Sequence, residues 1–210
     1  KYKLAGVMSG YHFDPSWHFR PEPADFYDLK GTVENLLDTL GIEAHFESAR
    51  DICYLNPNNA AYVLKGERKL GYLGEVNTQV KQHWELKRLK EVFVFELDLE
   101  TLWAVTKKEK KVTSLPKFPS SERDVSLVVP KSLSAQPIEE FVLSSKTSYI
   151  ENIELIDVYE GPPLPKGKRN LTYRLTYRAP ERTLTDSEVD KLHKEIVSKI
   201  LNHFKIEVRQ

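Results

Sequence analysis

Between Leu171 and Arg178 two residue classes alternate: Leu171, Tyr173, Leu175 and Tyr177 at odd positions, Thr172, Arg174, Thr176 and Arg178 at even ones. A strand sends successive side chains to opposite faces, so this segment predicts one apolar face and one face of hydroxyls and guanidiniums. Just upstream lies a segment rich in Gly and Pro, from Glu160 to Gly167, with Lys166 inside it and Lys168 and Arg169 directly after it. No sheet interior tolerates that composition, so it is expected to be a hairpin loop. Cations beside hydroxyls on an open sheet suit phosphates and splayed bases, the chemistry of a single-stranded or loop RNA surface. The candidate RNA contacts are Arg174, Arg178, Lys166, Lys168 and Arg169, with Ser126 lining the same face. A solvated polar sheet face would show the same pattern without a ligand.

No other chemistry-bearing residues assemble into a catalytic set. His12, Asp14 and His18 are close in sequence but lack a spacing that converges three or four ligands, and no metal site is expected. The phosphate loop Gly-x-x-x-x-Gly-Lys-Thr/Ser, the dinucleotide motif Gly-x-Gly-x-x-Gly and the elbow Gly-x-Ser-x-Gly are all missing from the sequence. Cys53 lies between Ile52 and Tyr54 and reads as a packed thiol. As the single cysteine it cannot build a disulfide framework, which fits a reducing compartment. Pro162-Pro163-Leu164-Pro165 could dock an aromatic groove as a polyproline helix, although a rigid loop accounts for the same residues.

The 210 residues carry 31 Lys+Arg and 31 Asp+Glu, so net charge is zero and any RNA contact must come from a local patch. No apolar run approaches the ~20 residues that cross a bilayer. Lys1-Tyr2-Lys3-Leu4 has no signal-peptide core and no initiator Met leads it, so a piece of a longer cytoplasmic protein is expected. Three parts follow: a first region over 1–105, a basic linker over 106–116 and a second region over 117–210. The first region predicts a strand at Leu4–Met8 and a helix over Asp25–Leu40 with its apolar stripe at Leu29, Val33, Leu36, Leu37 and Leu40. Strands at Ala44–Ser48, Ala61–Lys65, Lys69–Glu75 and Val92–Leu99 follow, with a short helix at Thr78–Trp84. The second region reads β-α-β-β-α-β: Arg123–Val129, a helix from a Ser134 cap to about Ser148, Ile153–Tyr159, Leu171–Arg178, a helix opened by the capping box Thr185-Asp186-Ser187-Glu188, and Ile206–Arg209. That order is the split β-α-β pattern, with both helices on one face of an antiparallel sheet. Arg123 and Asp124, at a strand start, are expected to serve as a structural ion pair or cap.

The second region resembles the ferredoxin-fold anticodon-binding domain of bacterial phenylalanine–tRNA ligase β subunits. The matching residues are Phe118-Pro119, Arg123-Asp124-Val125-Ser126-Leu127-Val128-Val129, Asp157-Val158-Tyr159, Leu164 to Leu171 and Arg182 to Val189. The first region is similar to the end of that subunit's catalytic-like domain through Leu4 to Gly10, Asp25 to Gly31 and Gly71-Tyr72-Leu73-Gly74-Glu75. The resemblance implies an α+β chain, a partial class II synthetase-like antiparallel sheet domain followed by a ferredoxin-like βαββαβ domain. It implies a non-catalytic part of an α2β2 ligase that charges its tRNA with phenylalanine using ATP and Mg²⁺. The expected partners are tRNA for phenylalanine and the α subunit, which holds the catalytic residues; this chain would hold no cofactor of its own. Phe19-Arg20-Pro21-Glu22 formally matches the Phe-Arg-x-Glu by which class II synthetases clamp the ATP α-phosphate. Pro21 and Pro23 disfavour the strand that motif needs, and its Gly-x-Gly-x-x-Arg companion is missing. The chain also departs from the family at Leu55-Asn56-Pro57-Asn58, for Leu-His-Pro-Gly, and at Gly74-Glu75-Val76-Asn77-Thr78, for Gly-Glu-x-His-Pro. The alternative reading is a stand-alone ferredoxin-like regulatory or protein-interaction scaffold that does not bind RNA.

Overall fold

The computed structural model describes residues 1–12, 16–18, 21–86, 89, 91–106, 115–145 and 147–208. Asp14, the Phe19-Arg20 pair and most of the expected linker over 106–116 lie outside them. The chain divides into two compact units, residues 1–112 and 113–210.

The first unit runs β1 (Lys3–Met8), α1 (Phe26–Thr39), β2 (His45–Ser48), β3 (Leu55–Lys65), β4 (Arg68–Val76), α2 (Thr78–His83), β5 (Phe93–Asp98) and α3 (Leu99–Val105). Its strands form one antiparallel sheet in the order β1-β5-β4-β3-β2. Asp25 caps α1 by accepting from the amides of Tyr27 and Asp28, while Asp28 reaches back to the Asp25 amide. The α1 stripe of Leu29, Val33 and Leu37 is buried against Val63, Leu70, Leu73, Phe93 and Leu97 of the sheet. Gly66, with φ of 56°, makes the tight turn between β3 and β4.

Two elements differ from expectation. β3 begins at Leu55 rather than Ala61 and contains Pro57. The register of β3 on β4 jumps from Leu55 to Ala60, so Pro57 sits where no ladder donor is needed. The helix α3 is new; the Asp98 carboxylate starts it by accepting from the Thr101 amide at 2.9 Å. At seven residues it is too short to show a helical period in sequence.

The second unit runs β6 (Ser121–Pro130), α4 (Gln136–Ser144), β7 (Ile150–Tyr159), β8 (Lys168–Tyr177), α5 (Asp186–Phe204) and β9 (Glu207–Val208). The sheet order is β7-β8-β6-β9, antiparallel throughout, which is the ferredoxin-like arrangement. Register shifts interrupt β7 at two places, between Ile150 and Asn152 and between Leu155 and Asp157. Leu171, Tyr173, Leu175 and Tyr177 are fully buried with Ile138 and Val142 of α4 and Val189, Ile196 and Ile200 of α5. The Thr185 capping box forms as expected. Ser134 is not the cap of α4: Ala135 takes that position in helical backbone without a side-chain bond, and a proline in the first turn presets the backbone instead. The chain is therefore α+β, and its second unit leaves one sheet face without helices.

Candidate nucleic-acid interface

The open face of the second unit is built by register. Antiparallel partners share a face, so Asp124 stands opposite Arg174, Ser126 opposite Thr172 and Val128 opposite Asn170. From the other side β7 places Asn152 against Thr176, Glu154 against Arg174 and Asp157 against Thr172. Arg174, Arg178 and Ser126 are thus on this face, as alternation predicts, and Lys168 joins it at the hairpin end of β8. Lys166 is exposed in the loop. Arg169 is not on the open face. It shares the side of Leu171 and Tyr173, is half-buried, and donates from Nη2 to the Leu133 carbonyl at 2.8 Å.

Neither arginine of the face is bare. Arg174 donates from Nε and Nη2 to the two carboxylate oxygens of Asp124, both at 2.9 Å. Glu122 lies 3.6 Å away. The Arg174 hydrogen bonds hold the Asp124 carboxyl below its ordinary range, and Asp124 raises the guanidinium in return. Arg178 donates from Nε to both oxygens of Glu151, at 3.0 and 2.9 Å, and from Nη1 to the Phe118 carbonyl. Across the face the carboxylates Glu122, Asp124, Glu151, Glu154 and Asp157 outnumber Lys168, Arg174 and Arg178. The positive surface expected from β8 alone is offset by acids that β6 and β7 bring beside it. Among the described residues, no carboxylate pairs with Lys166 or Lys168, because Glu160 is taken by Lys131 at 2.6 Å.

A chain of neutral groups fills the centre. Asn170 Nδ2 donates to Thr172 Oγ1 at 3.0 Å, and Thr172 Oγ1 and Ser126 Oγ are 2.9 Å apart. Asn170 is buried, and its Oδ1 finds no partner among the described residues. Alternation along β8 alone does not reveal Asp124 and Glu151 as the partners of these arginines. Finding them needs the registers of β8 on β6 and β7, and β6 lies far from β8 in sequence. Arg123 is structural, as expected, but through different partners: Nε reaches Asp190 at 2.8 Å and Nη2 reaches Asp186 at 2.9 Å, both on α5.

In the first unit the segments that depart from the family pattern meet. Asn56 and Asn59 donate to one oxygen of Glu75, at 2.8 and 2.9 Å, and Lys81 lies 3.6 Å from its other oxygen. These three groups lower the Glu75 carboxyl against the opposing effect of burial. Asn77 accepts from the Val80 amide, capping α2, and donates to the Cys53 carbonyl at 2.8 Å. These are structural bonds. Among the described residues no three His, Cys, Asp or Glu side chains gather as metal ligands.

Residues 116–209 match the family described as ferredoxin-fold anticodon binding domain, and residues 1–99 match the phenylalanyl tRNA synthetase beta chain CLM domain. Curated relatives named phenylalanine–tRNA ligase beta subunit are similar along the chain. The Bacillus licheniformis protein is 32% identical over 100% of this chain and 26% of its own length. The Symbiobacterium thermophilum protein is 37% identical over 90% of this chain and 21% of its own length. The Bacillus subtilis protein is 30% identical over 99% of this chain and 26% of its own length. The chain thus spans about a quarter of the length of these relatives. With both domain families present in series, the chain belongs to the phenylalanine–tRNA ligase β-subunit family.

Proposed function

We propose that this chain is the α-docking and tRNA-contacting part of a phenylalanine–tRNA ligase β subunit. On this reading it supports ATP-dependent charging of tRNA with phenylalanine without carrying catalytic residues. The observation that carries the tRNA role is the anticodon-binding-type domain over 116–209, whose helices cover one sheet face and leave the other open. The first unit, matched by the beta chain CLM family, is the part that docks the catalytic α subunit in an α2β2 assembly. ATP and Mg²⁺ belong to the whole ligase rather than to this part. The domain division follows the sequence reading: 1–105, a linker over 106–116, and 117–210. The chain works in the cytoplasm, and among the described residues no helix is long and apolar enough to cross a membrane.

RNA contact is assigned to the open face through Arg174, Arg178 and Ser126, and to the hairpin end through Lys166 and Lys168. Arg169 supports the hairpin from the opposite side. The test uses the complete β subunit that contains this chain, co-expressed with α, beside a β subunit lacking Lys117 onward. The expected outcome is retained co-purification with α and a fall in tRNA charging. Charging equal to that of complete β, with equal tRNA affinity, refutes the tRNA role. Loss of α association on substituting only first-unit surface residues supports the docking role, and indifference to all of them refutes it.

A further inference from the structure

We infer that Arg174 is a stacking plane for an unpaired nucleobase rather than a phosphate anchor, and that Asp124 is the residue that positions it. The inference rests on the RNA reading above and names what the open face recognises. A phosphate anchor needs uncompensated positive charge. Arg174 has the opposite surroundings: Asp124 holds it through two 2.9 Å hydrogen bonds, Glu122 lies 3.6 Å away, and Glu154 stands beside it in register. A phosphate arriving here meets more negative charge than positive, and like charges repel.

A base asks for something different. With its Nε–Nη2 edge engaged, Arg174 keeps its planar face for contact, and its side chain is 41% exposed. A guanidinium plane accepts a base in stacking, and a carboxylate gripping it through two bonds fixes its tilt beforehand. The surroundings fit a base as well. Ser126, Thr172 and Thr176, all half-buried, offer neutral hydroxyls on the same face, suited to base edges, and buried Asn170 holds Thr172 from behind. The cations left for phosphates are Lys166 and Lys168 at the hairpin end. The face is thus divided, with backbone contact at one end and base contact in the middle.

The division is tested on the 210-residue chain with a labelled anticodon stem-loop of phenylalanine tRNA, and with the same stem-loop made abasic in the loop. Anisotropy titrations across a salt series give affinity and salt slope for each. The native chain is expected to bind the intact loop roughly tenfold or more tighter than the abasic one, the scale of one or two stacking contacts. Arg174→Lys keeps the charge and loses the plane. It is expected to weaken intact-loop binding about tenfold, leave the salt slope unchanged and leave abasic binding unchanged. Asp124→Asn frees the guanidinium, so the salt slope steepens while the preference for the intact loop shrinks. Lys166→Ala and Lys168→Ala each reduce the salt slope by about 0.7–0.9 for both RNAs. Circular dichroism melts check that each variant is folded, and the salt slope is a readout that a purely structural role for Asp124 would leave alone. Arg174→Lys binding like the native chain, or a slope that drops in Arg174→Ala, overturns the stacking assignment while leaving the RNA reading intact. Failure of the native chain to bind the intact stem-loop at low salt overturns both.

Discussion

Replacing Tyr177 by Phe keeps an aromatic ring in the second core and removes one hydroxyl. That ring is fully buried, so its packing volume stays filled and no cavity opens. The Tyr177 hydroxyl lies 2.9 Å from Nδ1 of His193, on α5. The imidazole is thus a tie between α5 and the strand β8. Without the hydroxyl, Nδ1 is left unpaired in a half-buried position. The cost of an unsatisfied polar group there is about 1–2 kcal/mol. For a unit of this size each kcal/mol lowers the melting temperature by roughly 4–8 °C. The second unit of Tyr177→Phe is therefore expected to melt about 4–16 °C lower. Calorimetry of the full chain, joined to hydrogen-exchange mass spectrometry, reads this directly. Amides of β8 and α5 should lose protection while those of α1 and β4 keep theirs. A melt within about one degree of the native chain, or protection lost equally in both units, refutes the tie.

Acidification should weaken the same unit. Burial lowers the His193 pKa from its ordinary 6.5, so the unfolded chain takes up the proton first. This stability is complete above about 6.5 and is lost as pH falls through the lowered folded value, so urea midpoints should drop between pH 7 and 5, less so in His193→Phe. Gly71→Ala should cost about 1–3 kcal/mol or more, because a Cβ there would meet the Glu96 carbonyl oxygen at 2.1 Å; Gly31→Ala, with nothing within 4 Å, should raise stability in the same urea titration. Thr185→Ala should cost about 1 kcal/mol by removing the cap of α5, seen as faster exchange confined to the first turn of that helix.

The two-sided patterns were legible in the residues. Alternation in β8 gave its faces, the three-and-four spacing gave α1, and Thr185 with Glu188 gave the start of α5. Features that depend on a partner were not. Pro57 argues against a strand until the register jump that excuses it is seen, and Ser134 looks like a cap until Ala135 takes the position. The candidate interface shows the same limit. Arg174 and Arg178 are on the expected face, but their charge is decided by Asp124 and Glu151, which pair with them only through strand registers. Arg169 follows the strand's parity into the half-buried side, where grouping it with the neighbouring hairpin lysines had hidden that fact.

The two interruptions of β7 bear on self-association. This strand borders the sheet and presents ten residues of backbone along an outer rim. An unbroken rim of that length invites a second molecule to zip onto it. Each interruption shifts the spacing of outward-pointing amides and carbonyls, so a straight visiting strand matches only a short stretch before falling out of step. The second unit can therefore keep one broad side of its sheet uncovered while its β7 border resists polymerising.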